Sequence, residues 1–174
     1  MASGDGRRVS NRMKVLAIDP GYGRCGVAVM EKTPYGEKLL YSSCIETGKD
    51  DPFMERLAAV TDACVRLLQE HTPDCMALEK LYFTKNQKTA MHVAEVRGAL
   101  LQVAAERDLP VFEYGPGEIK SAVAGSGRAD KKQMAAMLHL LIKIERSIQY
   151  DDEYDAIAIG VTHIARYRTL AQQV

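Results

Sequence analysis

The chain has 174 residues and a mass of 19.2 kDa, and its 23 Lys and Arg residues balance its 23 Asp and Glu residues. This length suits one domain with its own core, and no apolar run reaches the roughly 20 residues that a membrane-spanning helix needs. The resulting net charge of zero excludes a uniformly basic chain, which is the simplest form of a nucleic-acid-binding protein.

The start of the chain and its cysteines indicate the compartment. Residues 1–12 are polar and lack the apolar core of a signal peptide, so we expect a flexible leader before a single domain at residues 13–174. The four cysteines are scattered, without the close pairs of a zinc site, and we expect buried free thiols in a reducing environment. Together these features predict a cytoplasmic protein.

Short apolar runs in the first third of the chain predict three strands, at residues 13–19, 25–30 and 38–45. Their short connections predict an antiparallel meander. Residues 21–26 match G-x-G-x-x-G, but the segment that follows alternates like a strand instead of opening a helix. The glycines therefore predict a tight reversal between two strands, not a dinucleotide site.

The rest of the chain alternates helices with strands. Apolar residues at three- and four-residue spacing predict helices, and short apolar runs predict strands. The predicted helices are 51–70, 86–106, 118–124, 131–144 and 152–168, and the predicted strands are 74–78 and 111–114. This order predicts an α/β fold of the ribonuclease H-like class, with a five-stranded mixed sheet flanked by helices. The sheet would combine the three-strand antiparallel meander with two parallel strands.

Acidic residues stand at the ends of these elements. Asp19 and Glu79 close the first and fourth strands, and Asp152 and Asp155 share one face at the start of the last helix. Each one alone fits an ordinary turn, loop or helix-start acid. In a mixed sheet of this order, however, the first and fourth strands can lie side by side, so we expect the four carboxylates to meet at one sheet edge.

A cluster of carboxylates needs compensating positive charge, because the carboxylates repel one another. Two Mg²⁺ ions, with Mn²⁺ as an alternative, would supply it, and two ions about 4 Å apart suit in-line phosphodiester displacement. The predicted catalytic and metal-binding residues are Asp19, Glu79, Asp152 and Asp155. The neighbouring Asp151 and Glu153 are expected instead to interact with the positive end of the helix dipole.

Four segments carry the acids and the loops between them: AIDPG around Asp19, ALEKLYFTKN around Glu79, VFEYGPGEIKSAVAGSGRADKKQM, and DEYDAIAIGVTH. Together they resemble the RuvC family of Holliday junction resolvases, in the family's order and spacing from about residue 13 to residue 168. The resemblance places the family's metal-binding acids on the same four residues. It implies a homodimer that cuts four-way DNA junctions by paired symmetric nicks in recombination and repair, alongside the RuvA–RuvB branch-migration complex.

The resemblance also locates DNA contacts. The family's junction-probing aromatic falls on Tyr82, and its basic residues beside the active site fall on Lys120 and Lys131. An exposed aromatic beside cations suits base stacking and phosphate contact, whereas the adjacent Phe83 is expected to anchor its loop. The candidate DNA-binding residues are Tyr82, Lys85, Lys120, Arg128, Lys131 and Lys132.

Small residues on the second helix bear on oligomeric state. Ala90, Ala94 and Gly98 lie four residues apart and form a flat stripe that permits close packing on the sheet or on a partner helix. His139 and His163 are interpreted as packed or capping residues rather than metal ligands.

Other functions remain as alternatives: a ribonuclease H-like nuclease acting on RNA, an actin-like or sugar-kinase-like ATPase, and a non-catalytic junction-binding protein. The ATPase fold needs a duplicated domain and a longer chain. The zero net charge does not exclude DNA, because residues 80–97 and residues 117–149 each carry a net charge of +3. Binding would then depend on basic loops repeated across a dimer.

Overall fold

The computed structural model describes residues 12–81 and 87–171, which form five strands and five helices. The strands are β1 (Met13–Asp19), β2 (Arg24–Thr33), β3 (Gly36–Glu46), β4 (Cys75–Glu79) and β5 (Val111–Tyr114). The helices are α1 (Phe53–His71), α2 (Gln87–Ala105), α3 (Pro116–Ala124), α4 (Lys131–Leu141) and α5 (Asp151–Ala171).

The strands form one mixed sheet in the order β3-β2-β1-β4-β5. β1 pairs antiparallel with β2, which pairs antiparallel with β3, whereas β4 pairs parallel with both β1 and β5. The predicted five-stranded sheet and its ribonuclease H-like topology are thereby confirmed. The glycine-containing segment between β1 and β2 joins two antiparallel strands. The predicted tight reversal between strands is therefore confirmed.

Helices cover both faces of the sheet, and β1 shows how the sequence achieves this. Leu16 and Ile18 pack on one side with α1 and α2, whereas Val15 and Ala17 pack on the other with α5 and neighbouring helices. Alternate residues of a strand point to opposite faces, so a central strand covered on both sides is apolar throughout. This explains why the interior of β1 is a continuous apolar run rather than an alternating one.

The main departure from the predicted elements is the end of α4. The sequence predicts a helix to residue 144, but α4 ends at Leu141, and Ile142 takes an extended conformation with φ −134° and ψ 141°. Ile142 is buried, and Ile144 packs against the same core cluster. An extended chain brings these two β-branched side chains to the core, and such residues favour that conformation.

Two further properties are the character of the helices and the state of the cysteines. Within residues 12–81 and 87–171, no helix combines the length and apolar character needed to cross a bilayer. All four cysteines are free thiols, and burial raises the pKa of Cys25 to about 12.

Candidate active site

Two of the acids lie at the carboxyl ends of neighbouring parallel strands. Asp19 is the last residue of β1 and Glu79 is the last residue of β4, and the preceding residues, Ile18 and Leu78, are partners in the register. Parallel strands in register bring their ends to the same sheet edge. Asp19 and Glu79 accordingly line one small cavity of about 230 Å³.

Close packing brings the start of α5 to the same edge. A Cβ atom added to Gly26 on β2 would lie 1.7 Å from the carbonyl oxygen of Asp152, so only glycine fits there. Further along α5, a Cβ on Gly160 would lie 2.6 Å from the Sδ of Met30. These two glycines let the helix approach the sheet closely, and Gly26 pairs with Asp19 across the strands. The first turns of α5 therefore face the carboxylate at the end of β1.

A larger cleft of about 370 Å³ joins the acids to the basic loops. Its walls include two of the acids, from β4 and α5, and three lysines, from α3 and α4. These residues are Glu79, Asp155, Lys120, Lys131 and Lys132. The cleft thus combines carboxylates that can hold a cation with lysines that can hold a phosphate.

Asp19 is the most perturbed acid. The pKa of Asp19 is raised to about 8, most of all by burial and then by the charges of Asp155, Glu79 and Asp152 in that order, while Lys131 lowers it. A buried carboxyl among like charges holds its proton unless a cation compensates. At neutral pH this side chain is therefore largely protonated when no divalent ion is present.

The pKa values of Glu79 and Asp155 are also raised, but different neighbours act on them. Burial and the charge of Asp155 raise the pKa of Glu79, while Lys120 lowers it. Burial is also the largest cause that raises the pKa of Asp155, and Lys131 opposes this effect. The lysines are therefore close enough to act on the acids, but they do not offset the effect of burial on the two pKa values.

Asp152 has a direct counter-cation. The Nε of Arg24 lies 3.2 Å from its Oδ2, and the Asp152 side chain is 26% exposed. Lys131, in contrast, donates a hydrogen bond to Asp151, at 2.8 Å, rather than to any of the four predicted acids. Among the described residues, Arg24 is the one cation within ion-pair distance of the four. Sequence reasoning missed it, although it directly follows the glycine turn beside Asp19.

These acids fit a divalent ion by their chemistry more than by their present arrangement. All four offer carboxylate oxygens, the ligands that Mg²⁺ and Mn²⁺ prefer, and burial together with neighbouring acids raises the pKa values of Asp19, Glu79 and Asp155. In the described part of the chain, however, no three His, Cys, Asp or Glu side chains already surround one point closely enough to hold a metal. Some side chains must rotate for an ion to bind, and an ion bound through Oδ2 of Asp152 would compete with Arg24 for that oxygen.

The predicted DNA-binding residues divide into three groups. Lys120, Lys131 and Lys132 line the larger cleft with the acids. Arg128 is exposed and lines a different cavity with α4 residues, so the structure does not bring it to the acids. Tyr82 and Lys85, like Phe83, lie outside the described residues.

Glu153 has a role beyond the predicted interaction with the helix dipole. It lies in the first turn of α5, as that prediction requires, and it is also buried and forms an ion pair with Arg146. Its Oε1 also accepts a hydrogen bond from the Oγ of Ser42 on β3, at 2.6 Å. The rotation of α5 about its axis turns Glu153 toward β3, Asp152 toward Arg24 on β2, and Asp155 into the cleft. Glu153 therefore fastens the start of α5 to the sheet.

His163 belongs to a buried polar network behind the site, as its interpretation as a packed residue implied. Its Nε2 lies 3.2 Å from the Sγ of Cys75 on β4, and its Nδ1 lies 2.8 Å from the Oη of Tyr114 on β5. Burial lowers the pKa of His163 to about 4, so the ring is neutral at pH 7. The network links α5 to the two strands that meet at Glu79, since Tyr114 pairs with Glu79 in the sheet.

Comparison with known proteins identifies relatives of this arrangement. The family model "Crossover junction endodeoxyribonuclease RuvC" matches residues 15–163. A protein of that name from Petrotoga mobilis is 42% identical over 151 residues, covering 87% of this chain and 93% of the relative. A Mycolicibacterium smegmatis protein of the same name is 34% identical over 92% of this chain and 87% of its own length.

Solved structures agree with this result. The structure of T. thermophilus RuvC in complex with Holliday junction substrate matches with a TM-score of 0.83 and 30% identity, covering 90% of this chain and 96% of the other. The yeast mitochondrial Holliday junction resolvase Ydc2 shares the fold, with a TM-score of 0.64 at 14% identity over 92% of this chain and 84% of that one. Both the sequence and the fold lead to one conclusion: the chain belongs to the RuvC family of crossover junction endodeoxyribonucleases.

Proposed function

We propose that the chain is a structure-selective endodeoxyribonuclease that resolves four-way DNA junctions by paired symmetric nicks in recombination and repair. Family membership supports this proposal, as does the junction bound by the T. thermophilus relative. The observation that carries the chemistry is the gathering of Asp19, Glu79, Asp152 and Asp155 at one sheet edge, where burial first and the charges of the other three acids next raise the pKa of Asp19 to about 8. A protein that only bound junctions would gain nothing from this costly cluster.

We propose two Mg²⁺ ions per subunit as the cofactor, with Mn²⁺ able to replace them. When bound by the four carboxylates, such ions would activate the attacking water and stabilise the departing 3′ oxygen. Asp19 then has a defined part, because it holds a proton at its carboxyl near pH 7 and must release it to become a ligand.

Lys120 and Lys131 are proposed to hold the phosphate of the strand being cut. Both line the cleft that Glu79 and Asp155 also line, so a phosphodiester in this cleft would face lysines and acids together. Lys132 lines the same cleft and would contact a neighbouring phosphate. Arg128 would contact the DNA further out, from the loop between α3 and α4.

The segment that follows β4 in the chain is proposed to probe the junction through Tyr82, with Lys85 contacting the backbone. Glu79 and Tyr82 are three residues apart in the sequence, so this aromatic would act close to the acids. Stacking of a base on an aromatic ring contributes about 1–3 kcal/mol per base. A Tyr82→Ala variant is therefore expected to cut junctions at least several-fold more slowly than the unaltered protein.

We propose that the protein acts as a homodimer. On α2, a Cβ added to Gly98 would meet nothing within 4 Å, and the Met91 side chain is 65% exposed on the same helix. A small-residue stripe beside an exposed apolar side chain suits packing against a second copy. Light scattering should give twice the 19.2 kDa chain mass, and a Gly98→Glu variant should shift the particle toward the mass of one chain.

Two broader proposals concern the partners of the protein and its compartment. Family membership alone supports cooperation with the RuvA–RuvB branch-migration complex, which co-purification with those proteins would test. The cytoplasm is the proposed compartment because all four cysteines are free thiols, as is usual in a reducing environment.

The direct test of the function is cleavage of a synthetic four-way junction beside a linear duplex of the same sequence. With Mg²⁺ we expect symmetric nicks in two opposed strands, leaving 5′-phosphate and 3′-hydroxyl ends, and no cutting in EDTA. Equal cleavage of junction and duplex would contradict the proposal. An RNA four-way junction serves as the control for the alternative of an RNA nuclease.

A further inference from the structure

Arg24 forms an ion pair with Asp152, and neighbouring residues keep the arginine in this position. It is the first residue of β2, directly after the turn that follows Asp19. Its guanidinium carbon lies 5.1 Å from the centre of the Tyr150 ring, in cation–π contact. Tyr150 is in turn hydrogen bonded to Glu46, the strand partner of Arg24 on β3. The arginine therefore has a platform that keeps it beside the start of α5.

The position of Arg24 conflicts with the use of Asp152 as a metal ligand. A divalent ion bound through Oδ2 of Asp152 would lie beside the guanidinium of Arg24, and the two positive charges would repel each other. The Arg24–Asp152 contact, at 3.2 Å, is partly exposed, with 52% of the arginine side chain accessible, so it can be broken at modest cost. An incoming ion would thus compete with Arg24 for this carboxylate.

We propose that Arg24 is a positioning residue that occupies Asp152 until a divalent ion displaces it, and that the released guanidinium then binds a phosphate oxygen of the DNA. This inference rests on the proposed function. The charges support it, because Arg24 would exchange one anionic partner for another while the Tyr150 ring keeps it near the cleft. Arginine suits such an exchange, since its planar donors match carboxylate and phosphate equally well.

The exchange would couple the two kinds of ligand. Metal binding would free a cation for DNA, and DNA would keep that cation away from Asp152, so each ligand would favour the other. Lys131 cannot serve in the same way, because its hydrogen bond goes to Asp151. Arg24 is therefore the residue whose replacement separates metal affinity from DNA affinity.

The first experiment measures metal affinity without DNA, by Mn²⁺ titration followed by electron paramagnetic resonance. Arg24→Gln is expected to bind Mn²⁺ about two- to five-fold more tightly than the unaltered protein, because the competing exposed ion pair is lost. Arg24→Lys should fall between them. Arg66→Gln removes an exposed arginine on α1 and should leave the affinity unchanged. Equal or weaker Mn²⁺ binding by Arg24→Gln would overturn the proposal.

The second experiment measures junction affinity in EDTA and again with Ca²⁺, by fluorescence anisotropy. In EDTA the Arg24→Gln change should have little effect, whereas with Ca²⁺ it should weaken binding several-fold and reduce the salt dependence by about one phosphate contact. The same loss in both conditions, or none in either, would contradict the exchange. If the unaltered protein fails to prefer junctions, the proposed function fails, while the Mn²⁺ titration still decides whether Arg24 competes for Asp152.

Discussion

Replacing Asp19 with asparagine should stabilise the protein in the absence of divalent ions, even as it removes a proposed metal ligand. In the folded protein the pKa of Asp19 is raised from 3.8 to about 8, chiefly by burial and then by neighbouring acids. The folded state therefore binds a proton that the unfolded state releases between these pH values. Stability from this group is complete below pH 4 and is lost as the pH rises toward 8.

The size of the effect follows from the two pKa values. Each pH unit between them costs about 1.4 kcal/mol, so the ionisable group lowers stability by about 2 kcal/mol at pH 5 and about 4 kcal/mol at pH 7. Asparagine cannot ionise and avoids this loss. For a chain of this size, about 4 kcal/mol corresponds to a rise of roughly 10 °C in Tm. The advantage of Asp19→Asn over the unaltered protein should thus grow from pH 5 to pH 8 and then level off.

The assay is thermal unfolding followed by circular dichroism, in EDTA at matched protein concentration and at pH 5, 7 and 8.5. Asp62→Asn is the matched control, since this carboxylate is exposed on α1 and its replacement should change stability by less than about 0.5 kcal/mol at every pH. A Tm difference between Asp19→Asn and the unaltered protein that stays constant with pH, or favours the unaltered protein at pH 7, would refute the reasoning.

Two further predictions concern the support behind the site. Tyr114→Phe leaves the Nδ1 of His163 without its buried partner, now 2.8 Å away, and should lower the free energy of unfolding by about 1–3 kcal/mol in urea titration; an unchanged value would show that the bond contributes nothing. Gly26→Ala places a methyl group against the carbonyl of Asp152 and should lower both Tm and the junction-cleavage rate. At Gly117 an added Cβ meets nothing within 4 Å, so Gly117→Ala should change the free energy of unfolding by no more than about 1 kcal/mol, with a correspondingly small change in Tm. Equal effects of the two changes would contradict the close approach of α5.

The sequence was sufficient to predict the sheet and the meeting of Asp19 and Glu79 at one edge of it. A continuous apolar run that ends in an acid, as β1 ends in Asp19, indicates a buried central strand with its charge at the edge. β4 repeats this pattern, because its apolar run ends in Glu79. Because β1 and β4 are adjacent and parallel, the two ends had to meet once the strand order was correct.

The sequence was not sufficient where the rotation of a helix decides the outcome. Asp152, Glu153 and Asp155 lie within one turn of α5, and residue type alone does not show which of them faces the cleft. The packing of Gly26 against α5 sets that rotation, and it sends Glu153 to Arg146 instead. The same holds for Arg24, whose contact with Asp152 depends on the close approach of α5 to the start of β2.

The central claim is that four carboxylates act together in one metal-dependent site that cuts junctions. Its most direct test is single-turnover cleavage of a four-way junction with Mg²⁺ by the unaltered protein and by the four single amide variants, with junction binding measured in parallel. The variants are Asp19→Asn, Glu79→Gln, Asp152→Asn and Asp155→Asn. We predict that each variant binds the junction but cuts it at least a hundred-fold more slowly, as about 2.7 kcal/mol or more of lost transition-state stabilisation implies. Cleavage near the normal rate by Asp19→Asn or Glu79→Gln would contradict the claim.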